Sequence, residues 1–294
     1  MIKIGIDLGG TKIEIVALDE QNQPLVRRRV ATEQERGYET ILDNIAGLYR
    51  ETVAGLGPAE HTLGIGIPGS ISAKTQRVKN SNTLCLNHQS LQVDLAARLG
   101  RPLRVENDAN CFALTETLLG AGRGKQLVFG VIMGTGCGAG IVWDGKVHPG
   151  LQGIAGEWGH MQIDPAGPAC YCGKRGCVET YISGGGLQRL YQQQVGATVT
   201  VQQIVAGYRA GEVGASQVFG DFIQHFGIAL SNVIDILDPD MVILGGGLSN
   251  IDELYTLGRT AVAGTIFSDS LETPIVRNVC GDSAGVFGAA LIGI

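Results

Sequence analysis

Two glycine-rich segments constrain the fold of this chain more than any other feature of its sequence. Each joins two short apolar runs, the first at Gly5–Lys12 and the second at Gly134–Gly140. A strand, a tight glycine turn and a second strand form a hairpin whose backbone N–H groups can converge on an anion. Either segment alone could equally be an ordinary structural hairpin. Two of them in one chain favour a ligand whose phosphates are held from two sides.

The first segment places a carboxylate where a phosphate site would repel one. Asp7 stands beside the glycines, with the hydroxyl of Thr11 and the ammonium of Lys12 as candidate phosphate contacts. A cation near Asp7 would remove the repulsion, so the pattern predicts Mg²⁺ held partly through water. The alternative is an aspartate that only shapes the turn.

Other nucleotide-binding patterns fit poorly. The chain has no Gly-x-x-x-x-Gly-Lys-Ser/Thr loop. A Gly-x-Gly-x-x-Gly match occurs at Gly64, Gly66 and Gly69, but its first two glycines lie inside an apolar run that Pro68 ends. About twenty residues further on stands Gln89 instead of the acid that a dinucleotide-binding fold needs. We interpret this match as accidental.

Composition excludes several function classes. The 294 residues, 44% hydrophobic and 17% charged, are typical of a compact protein with two domains or one large one. A formal net charge of −6 without a Lys/Arg-dense stretch argues against a nucleic-acid surface. No apolar run approaches the roughly 18 residues of a membrane span. Because a strand begins at the N-terminus, we expect no signal peptide, no preceding DNA-binding module and a cytoplasmic protein.

Hydrophobic periodicity predicts an α/β chain with two lobes and a cleft between them. The predicted strands are 2–6, 13–18, 24–31, 63–67, 103–106, 127–133, 138–143 and 241–244. The predicted helices are 38–54, 91–99, one that opens at Asn107, 218–237 and 283–292. We expect an N-terminal lobe over 1–120, joined by the C-terminal helix (283–294), and a C-terminal lobe over 121–282. The Gly/Ala/Arg stretch at 120–125 is the expected hinge.

An Asn-Asp pair follows one of the predicted strands. Asp108 is a plausible helix N-cap. It is also a candidate general base, because a carboxylate at the end of a strand can accept a hydroxyl proton as that oxygen attacks a γ-phosphoryl group. Asn107 could orient the hydroxyl with a neutral hydrogen bond. Both roles can coexist, since a helix N-terminus stabilises an ionised carboxylate.

A histidine and three cysteines have the composition of a structural zinc site. Cys170, Cys172 and Cys177 lie within eight residues, and His160 stands ten residues before the first. Four protein ligands close a zinc tetrahedron, so such a metal would hold a loop and not activate water. The alternative is a disulfide, which would leave one thiol over.

Two glutamates flank these four residues. Glu157 and Glu179 could be solvated surface charges, but a loop held by a metal would bring them together. Carboxylates that chelate neighbouring hydroxyls are a common means of recognising a sugar. His160 would then serve twice, with one ring nitrogen on zinc and the other toward the cleft.

Together with Gly66–Gly69 and Gly245–Gly247, these segments resemble the ROK family of bacterial sugar kinases and repressors over nearly the whole chain. The resemblance implies the actin/Hsp70/hexokinase-type (ribonuclease H-like) fold, with ATP in the interlobe cleft. It implies that Asp108 is the catalytic base. The implied sugar contacts are Gly69, Asn107, Asp108, Glu157, His160 and Glu179. The implied zinc ligands are His160, Cys170, Cys172 and Cys177.

The ATP contacts, implied by the resemblance except for the last, are Gly5, Ile6, Asp7, Leu8, Gly9, Gly10, Thr11, Lys12, Gly134, Thr135, Gly136, Cys137, Gly138, Ala139, Gly140, Ile141 and Gly246. Gly246 follows from the triple glycine itself, which could let the adenosine approach the backbone. By itself that triple glycine favours a simple turn from a strand into a helix.

Within the family, Gly69–Ser72, Val78–Asn82 and Glu272–Pro274 look most like bacterial fructokinases of the manno(fructo)kinase type. We therefore expect an ATP- and Mg²⁺-dependent kinase acting on the 6-hydroxyl of fructose. The alternatives are a kinase for glucose, mannose or N-acetylglucosamine, a sugar-responsive regulator, and a chaperone-like ATPase. The expected partners are a sugar and ATP, without nucleic acid or membrane. A homodimer is compatible with the sequence.

Overall fold

The computed structural model describes residues 1–293. The chain divides into two compact units, and each is described by itself. The first combines Met1–Leu119, Gly145–Ala155 and the C-terminal segment from Cys280, and the second combines Gly120–Asp144 and Gly156–Val279. The short segment Gly145–Ala155 thus belongs to the first unit, whereas the sequence division assigns it to the C-terminal lobe.

The first unit is an α/β unit. Its strands are β1 (Ile2–Leu8), β2 (Lys12–Leu18), β3 (Pro24–Ala31), β4 (His61–Ile67), β5 (Ser70–Ile71), β6 (Val78–Lys79), β7 (Arg104–Asn107) and, later in the chain, β10 (Lys146–Val147). Its helices are α1 (Tyr38–Leu56), α2 (Leu91–Leu99), α3 (Asp108–Leu118) and α9 (Ala284–Ile292).

Strand β1 is central in the first sheet, whose order is β3-β2-β1-β4-β7. It pairs antiparallel with β2 and parallel with β4, and β4 pairs parallel with β7. Ile4, Ile6 and Leu8 on β1 are fully buried in the core of this unit. Because the sheet is parallel from β1 to β7, the ends of these strands meet at one edge, where Asp7 and Asn107 stand.

Helix α9 packs directly on the backbone of this sheet. A Cβ at Gly5 would lie 2.3 Å from the Val286 carbonyl oxygen, and one at Gly64 would lie 2.0 Å from the Ala289 carbonyl oxygen. No larger residue fits at either position without a shift of helix or strand. The two glycines are therefore needed for close packing of the helix on the sheet.

The second unit repeats this arrangement. Its strands are β8 (Leu127–Met133), β9 (Cys137–Trp143), β11 (Met241–Gly245) and β12 (Ile275–Arg277). Its helices are α4 (Glu179–Ile182), α5 (Gly184–Val195), α6 (Val201–Arg209), α7 (Val213–Leu237) and α8 (Leu257–Ala263). Within this unit the order β9-β8-β11-β12 matches β2-β1-β4-β7 of the first, with the same antiparallel and parallel pairings.

Most predicted elements are present, with shifted ends. Helix α7 begins five residues before the predicted start, because the turn at Gly211 (φ +77°) already ends the preceding helix. Helices α5 and α6 and the β5–β6 hairpin had no sequence prediction. Among the described residues, none of the helices combines the length and apolarity that crossing a membrane requires.

Candidate active site

The first glycine turn is built from Gly9 to Thr11, between β1 and β2. The Gly9 N–H donates to the Lys12 carbonyl at 3.0 Å, and the Thr32 hydroxyl donates to the Gly9 carbonyl at 2.7 Å. Thr32 N–H also donates to the Thr11 carbonyl at 3.0 Å. A residue that follows β3 therefore holds the turn in place.

The glycines of the two turns have ordinary backbone angles. None of Gly9, Gly10, Gly134 and Gly136 has a positive φ among the described residues, so neither turn needs glycine for a left-handed backbone. What the glycines supply is space. A Cβ at Gly134 would meet no described atom within 4 Å, which leaves the backbone open to a ligand.

The predicted phosphate-binding residues before this turn lie inside β1. Gly5 packs against α9, and Ile6 and Leu8 are fully buried. These three residues are therefore explained by packing in the core. Asp7 is the residue of this strand near the turn that has an ionisable side chain.

Asp7 is a buried carboxyl group whose ionised form is disfavoured by its surroundings. Burial raises its pKa from 3.8 to about 7, helped by the nearby negative charges of Asp108 and Glu14 and opposed by Lys12 and Arg29. Glu14 itself is buried opposite Asp7 on β2 and forms an ion pair with Arg29, with 2.9 Å between the Arg29 Nε and the Glu14 Oε2. A cation beside Asp7 would favour its ionised form, so this carboxyl fits a metal-binding role.

The Asn-Asp pair follows β7, and the predicted cap is corrected by one residue. Asn107 and not Asp108 caps α3: the Asn107 Oδ1 accepts from the N–H groups of Ala109 and Asn110 at 2.9 and 3.3 Å. Asp108 is the first helical residue, and its Oδ1 accepts from the Ala109 N–H at 2.8 Å. A carboxylate at this position is stabilised by the positive end of the helix, which suits a general base.

Gly69 positions Asn107. Its carbonyl accepts a 3.0 Å hydrogen bond from the Asn107 Nδ2. Gly69 has φ +91°, and a Cβ there would lie 2.6 Å from the Lys79 carbonyl oxygen, so only glycine fits without strain. The amide of Asn107 therefore has its oxygen and one N–H engaged within the protein, and one N–H remains for a ligand.

The second glycine turn, Gly134–Gly136, joins β8 to β9. Gly134 N–H donates to the Gly136 carbonyl at 2.9 Å, and the N–H of Gly184, the first residue of α5, donates to the Gly134 carbonyl at 2.8 Å. The predicted contacts Gly138, Ala139, Gly140 and Ile141 lie beyond the turn, within strand β9. Gly246 packs on the end of β8, since a Cβ there would lie 2.5 Å from the Met133 carbonyl oxygen.

Glu179 contacts this second turn. Its Oε2 accepts a 2.9 Å hydrogen bond from the N–H of Cys137, the residue after the turn. Burial and the charge of Glu179 raise the pKa of the Cys137 thiol well above 9, so this cysteine is no thiolate nucleophile. Glu179 was expected to contact a sugar, and its bond to the turn had no sequence signal.

His160, Cys170, Cys172 and Cys177 come together in the second unit. Their ligand atoms all lie within 4.8 Å of one another. The Sγ atoms of Cys172 and Cys177 are 3.6 Å apart, and the Cys170 Sγ is 3.6 Å from the His160 Nδ1. These distances match the edges of a zinc tetrahedron, about 3.5–3.8 Å, and exceed the ~2 Å of a disulfide. The four residues therefore fit zinc, and the disulfide alternative is wrong for all of these thiols, which are free.

The second ring nitrogen of His160 has a partner for which the sequence carries no signal. The His160 Nε2 lies 3.0 Å from the hydroxyl of Tyr171, and the two rings meet edge to face. Tyr171 is 73% exposed. A direct contact of His160 with a sugar would therefore require Tyr171 to move.

Glu157 and Glu179 both act on Tyr171. Desolvation raises the pKa of its hydroxyl, and the carboxylates of Glu179 and Glu157 raise it further. Both glutamates are thus close enough to influence this exposed tyrosine electrostatically, and Tyr171 itself contacts His160, one of the residues expected to bind the sugar.

Comparison with known proteins decides the family. The sequence model of the ROK family matches residues 3–293. The chain belongs to the ROK family. It is 37% identical over 303 residues to an N-acetyl-D-glucosamine kinase of Pasteurella multocida, with 99% of each chain covered.

Solved ROK structures agree with this assignment. A ROK hexokinase from Thermus thermophilus superposes with a TM-score of 0.88 at 30% identity, covering 100% of this chain and 98% of the other. A ROK family glucokinase from Streptomyces griseus, solved with glucose and AMPPNP, gives a TM-score of 0.82 at 30% identity, covering 100% and 99%. The predicted two-lobed, actin-like α/β fold is thereby confirmed.

The predicted ROK subfamily is not confirmed. Relatives at 35–38% identity over nearly the whole chain are N-acetyl-D-glucosamine kinases, and not fructokinases. This ROK chain therefore has two candidate acceptors, one indicated by its relatives and one by its short motifs.

Proposed function

We propose that this ROK protein is an ATP-dependent kinase that phosphorylates the 6-hydroxyl of a hexose. The observation that carries the proposal is the placement of Asp7 and Asp108 at one edge of the first sheet. One carboxyl has a pKa raised by burial, and the other is stabilised at a helix N-terminus. These are the environments that a cation ligand and a general base require.

The proposed reaction needs one proton acceptor. The acceptor hydroxyl oxygen bonds to the γ-phosphorus, the bond from that phosphorus to the oxygen bridging it to the β-phosphate breaks, and ADP leaves. Asp108 takes the hydroxyl proton, while the free N–H of Asn107 orients the hydroxyl. The two glycine turns offer open backbone to the ATP phosphates.

Two metals complete the proposal. Mg²⁺ would be held through Asp7 and would neutralise charge on the phosphates. Zn²⁺ would be held by His160, Cys170, Cys172 and Cys177, where four protein ligands leave no position for a substrate and give a structural metal. It would hold in place the segment that carries Glu157 and Glu179.

N-acetylglucosamine is the acceptor that the relatives favour. Fructose stays as the second candidate because the fructokinase-like segment lies next to Asn107: Gly69 holds that amide and packs against Lys79 and Ser81. A few side chains around such a pocket can change the preferred sugar.

The test is ADP production with N-acetylglucosamine, fructose, glucose and mannose, followed by identification of the phosphorylated carbon. We expect the highest kcat/KM with N-acetylglucosamine and a 6-phosphate product. The highest value with fructose would establish the second candidate, and no sugar-dependent ADP from any of the four would refute the kinase proposal.

Asp108→Asn is the matched variant for the chemical step. Turnover should fall about 10²–10⁴-fold, because the general base is lost while the amide keeps its shape. Calorimetric affinities for sugar and nucleotide should stay within a few-fold. Near-normal turnover would contradict the assignment of Asp108 as the base.

A further inference from the structure

Glu179 stands where two parts of the second unit meet. It is the first residue of α4 and follows Cys177, one of the four clustered metal-ligand candidates, by two positions. Its carboxylate reaches the second glycine turn and accepts the Cys137 N–H at 2.9 Å. A single side chain thus connects the metal-ligand segment to the turn.

The turn is shaped to receive this carboxylate. A Cβ at Gly136 would lie 2.6 Å from the Glu179 Oε2, so the absence of a side chain is what permits the approach. On its other side the turn is held by a backbone hydrogen bond, from the Gly184 N–H to the Gly134 carbonyl. Glu179 is therefore the side chain that fixes where the turn enters β9.

We infer that Glu179 is a positioning residue for the nucleotide, acting through the Cys137 N–H on the second glycine turn. This inference rests on the proposed function, since it assumes that the turn binds ATP phosphates. It adds a role that the expected sugar contact of Glu179 does not include. An ordered turn binds phosphate without first losing conformational entropy, so freeing it should weaken nucleotide binding even when no sugar is present.

The test measures the affinity for a non-hydrolysable ATP analogue with Mg²⁺, without sugar, in the full chain. In Glu179→Ala the dissociation constant should rise roughly ten- to a hundredfold, the loss of a hydrogen bond to a charged acceptor. Glu179→Gln should stay within about threefold of the parent, because its amide oxygen can still accept from Cys137.

Glu157→Gln is the matched control. It changes the carboxylate on the other side of the metal-ligand candidates and should leave nucleotide affinity unchanged. Sugar affinity should fall in both Glu157→Gln and Glu179→Gln if the proposed sugar contacts are correct. Sugar affinity therefore tests the proposed function, and sugar-free nucleotide affinity tests the role of Glu179.

Hydrogen exchange of the Cys137 amide keeps the inference testable if Glu179→Ala folds poorly. Gly136→Ala should speed this exchange about tenfold by displacing the carboxylate, whereas Gly134→Ala, which adds a methyl group in open space, should not. Unchanged nucleotide affinity in Glu179→Ala, or unchanged exchange in a folded Gly136→Ala, would overturn the inference, as would tighter nucleotide binding in Glu179→Ala.

Discussion

The two glycine turns look alike in sequence but are supported in different ways. Each joins the two antiparallel strands of a corresponding sheet, β1–β2 in the first unit and β8–β9 in the second. The first is held by Thr32, which follows the neighbouring strand β3. The second is held by Glu179, more than forty residues along the chain and beside the metal-ligand candidates.

The carboxylates near the two turns also differ in their surroundings. Asp7 has a pKa raised to about 7 by burial and by neighbouring acids, so its charge is poorly compensated. Glu179 instead accepts a backbone N–H. One carboxylate therefore suits a cation and the other a structural hydrogen bond, although both lie beside glycine turns of the same kind.

Among the effects that test this comparison, the largest concerns the cation. In Asp7→Asn, kcat/KM for Mg·ATP should fall about 10²–10³-fold, because the variant cannot provide a charged oxygen to Mg²⁺. Steady-state rates over a Mg²⁺ titration measure this loss. Rates near those of the parent at ordinary Mg²⁺ concentrations would remove the proposed difference between the two carboxylates.

The second expected effect is on stability: the same variant that loses activity should be more stable than the parent. The folded pKa of Asp7 lies above its unfolded value, so its contribution to the free energy of unfolding falls as pH rises from about 4 to about 7. Asp7→Asn cannot ionise. It should therefore match the parent near pH 4 and be more stable by about 2–4 kcal/mol at pH 8 without Mg²⁺.

Hydrogen exchange of β1 amides in urea is the suitable measurement for this prediction. Both tryptophans, Trp143 and Trp158, lie in the second unit, so their fluorescence does not follow the first. Equal stability of parent and variant at pH 8 would show that the Asp7 charge is already compensated in the free protein.

The smallest expected effect is a difference in amide exchange between the two turns after metal removal. Removing bound metal with a chelator at constant pH should speed amide exchange at Cys137 a few-fold and leave Gly9 and Thr11 unchanged, because only the second turn is connected to the metal-ligand segment. Metal content by elemental analysis provides the control. Equal changes at both turns would contradict the comparison.

Much of the local structure was predictable from sequence. Apolar periodicity located the five strands of the first sheet, strands β8, β9 and β11 of the second, and helices α1 and α2, because alternating and helical burial leave a pattern in the residues themselves. The ends of the helices and strands were harder to predict. Asn107 rather than Asp108 caps α3, since both residue types can cap and only the path of the chain decides between them.

The spacing of His160, Cys170, Cys172 and Cys177 was also enough to predict that they come together, as short segments leave few other arrangements for three thiols and an imidazole. Sequence alone thus determined the family, the α/β class and the composition of the metal-ligand cluster. Only the tertiary structure decided that Glu179 reaches Cys137, that Tyr171 meets His160, and that burial raises the pKa of Asp7. The physical reason is that a pKa and a long-range hydrogen bond depend on atoms distant in the chain, and their closeness follows from packing rather than from any local pattern.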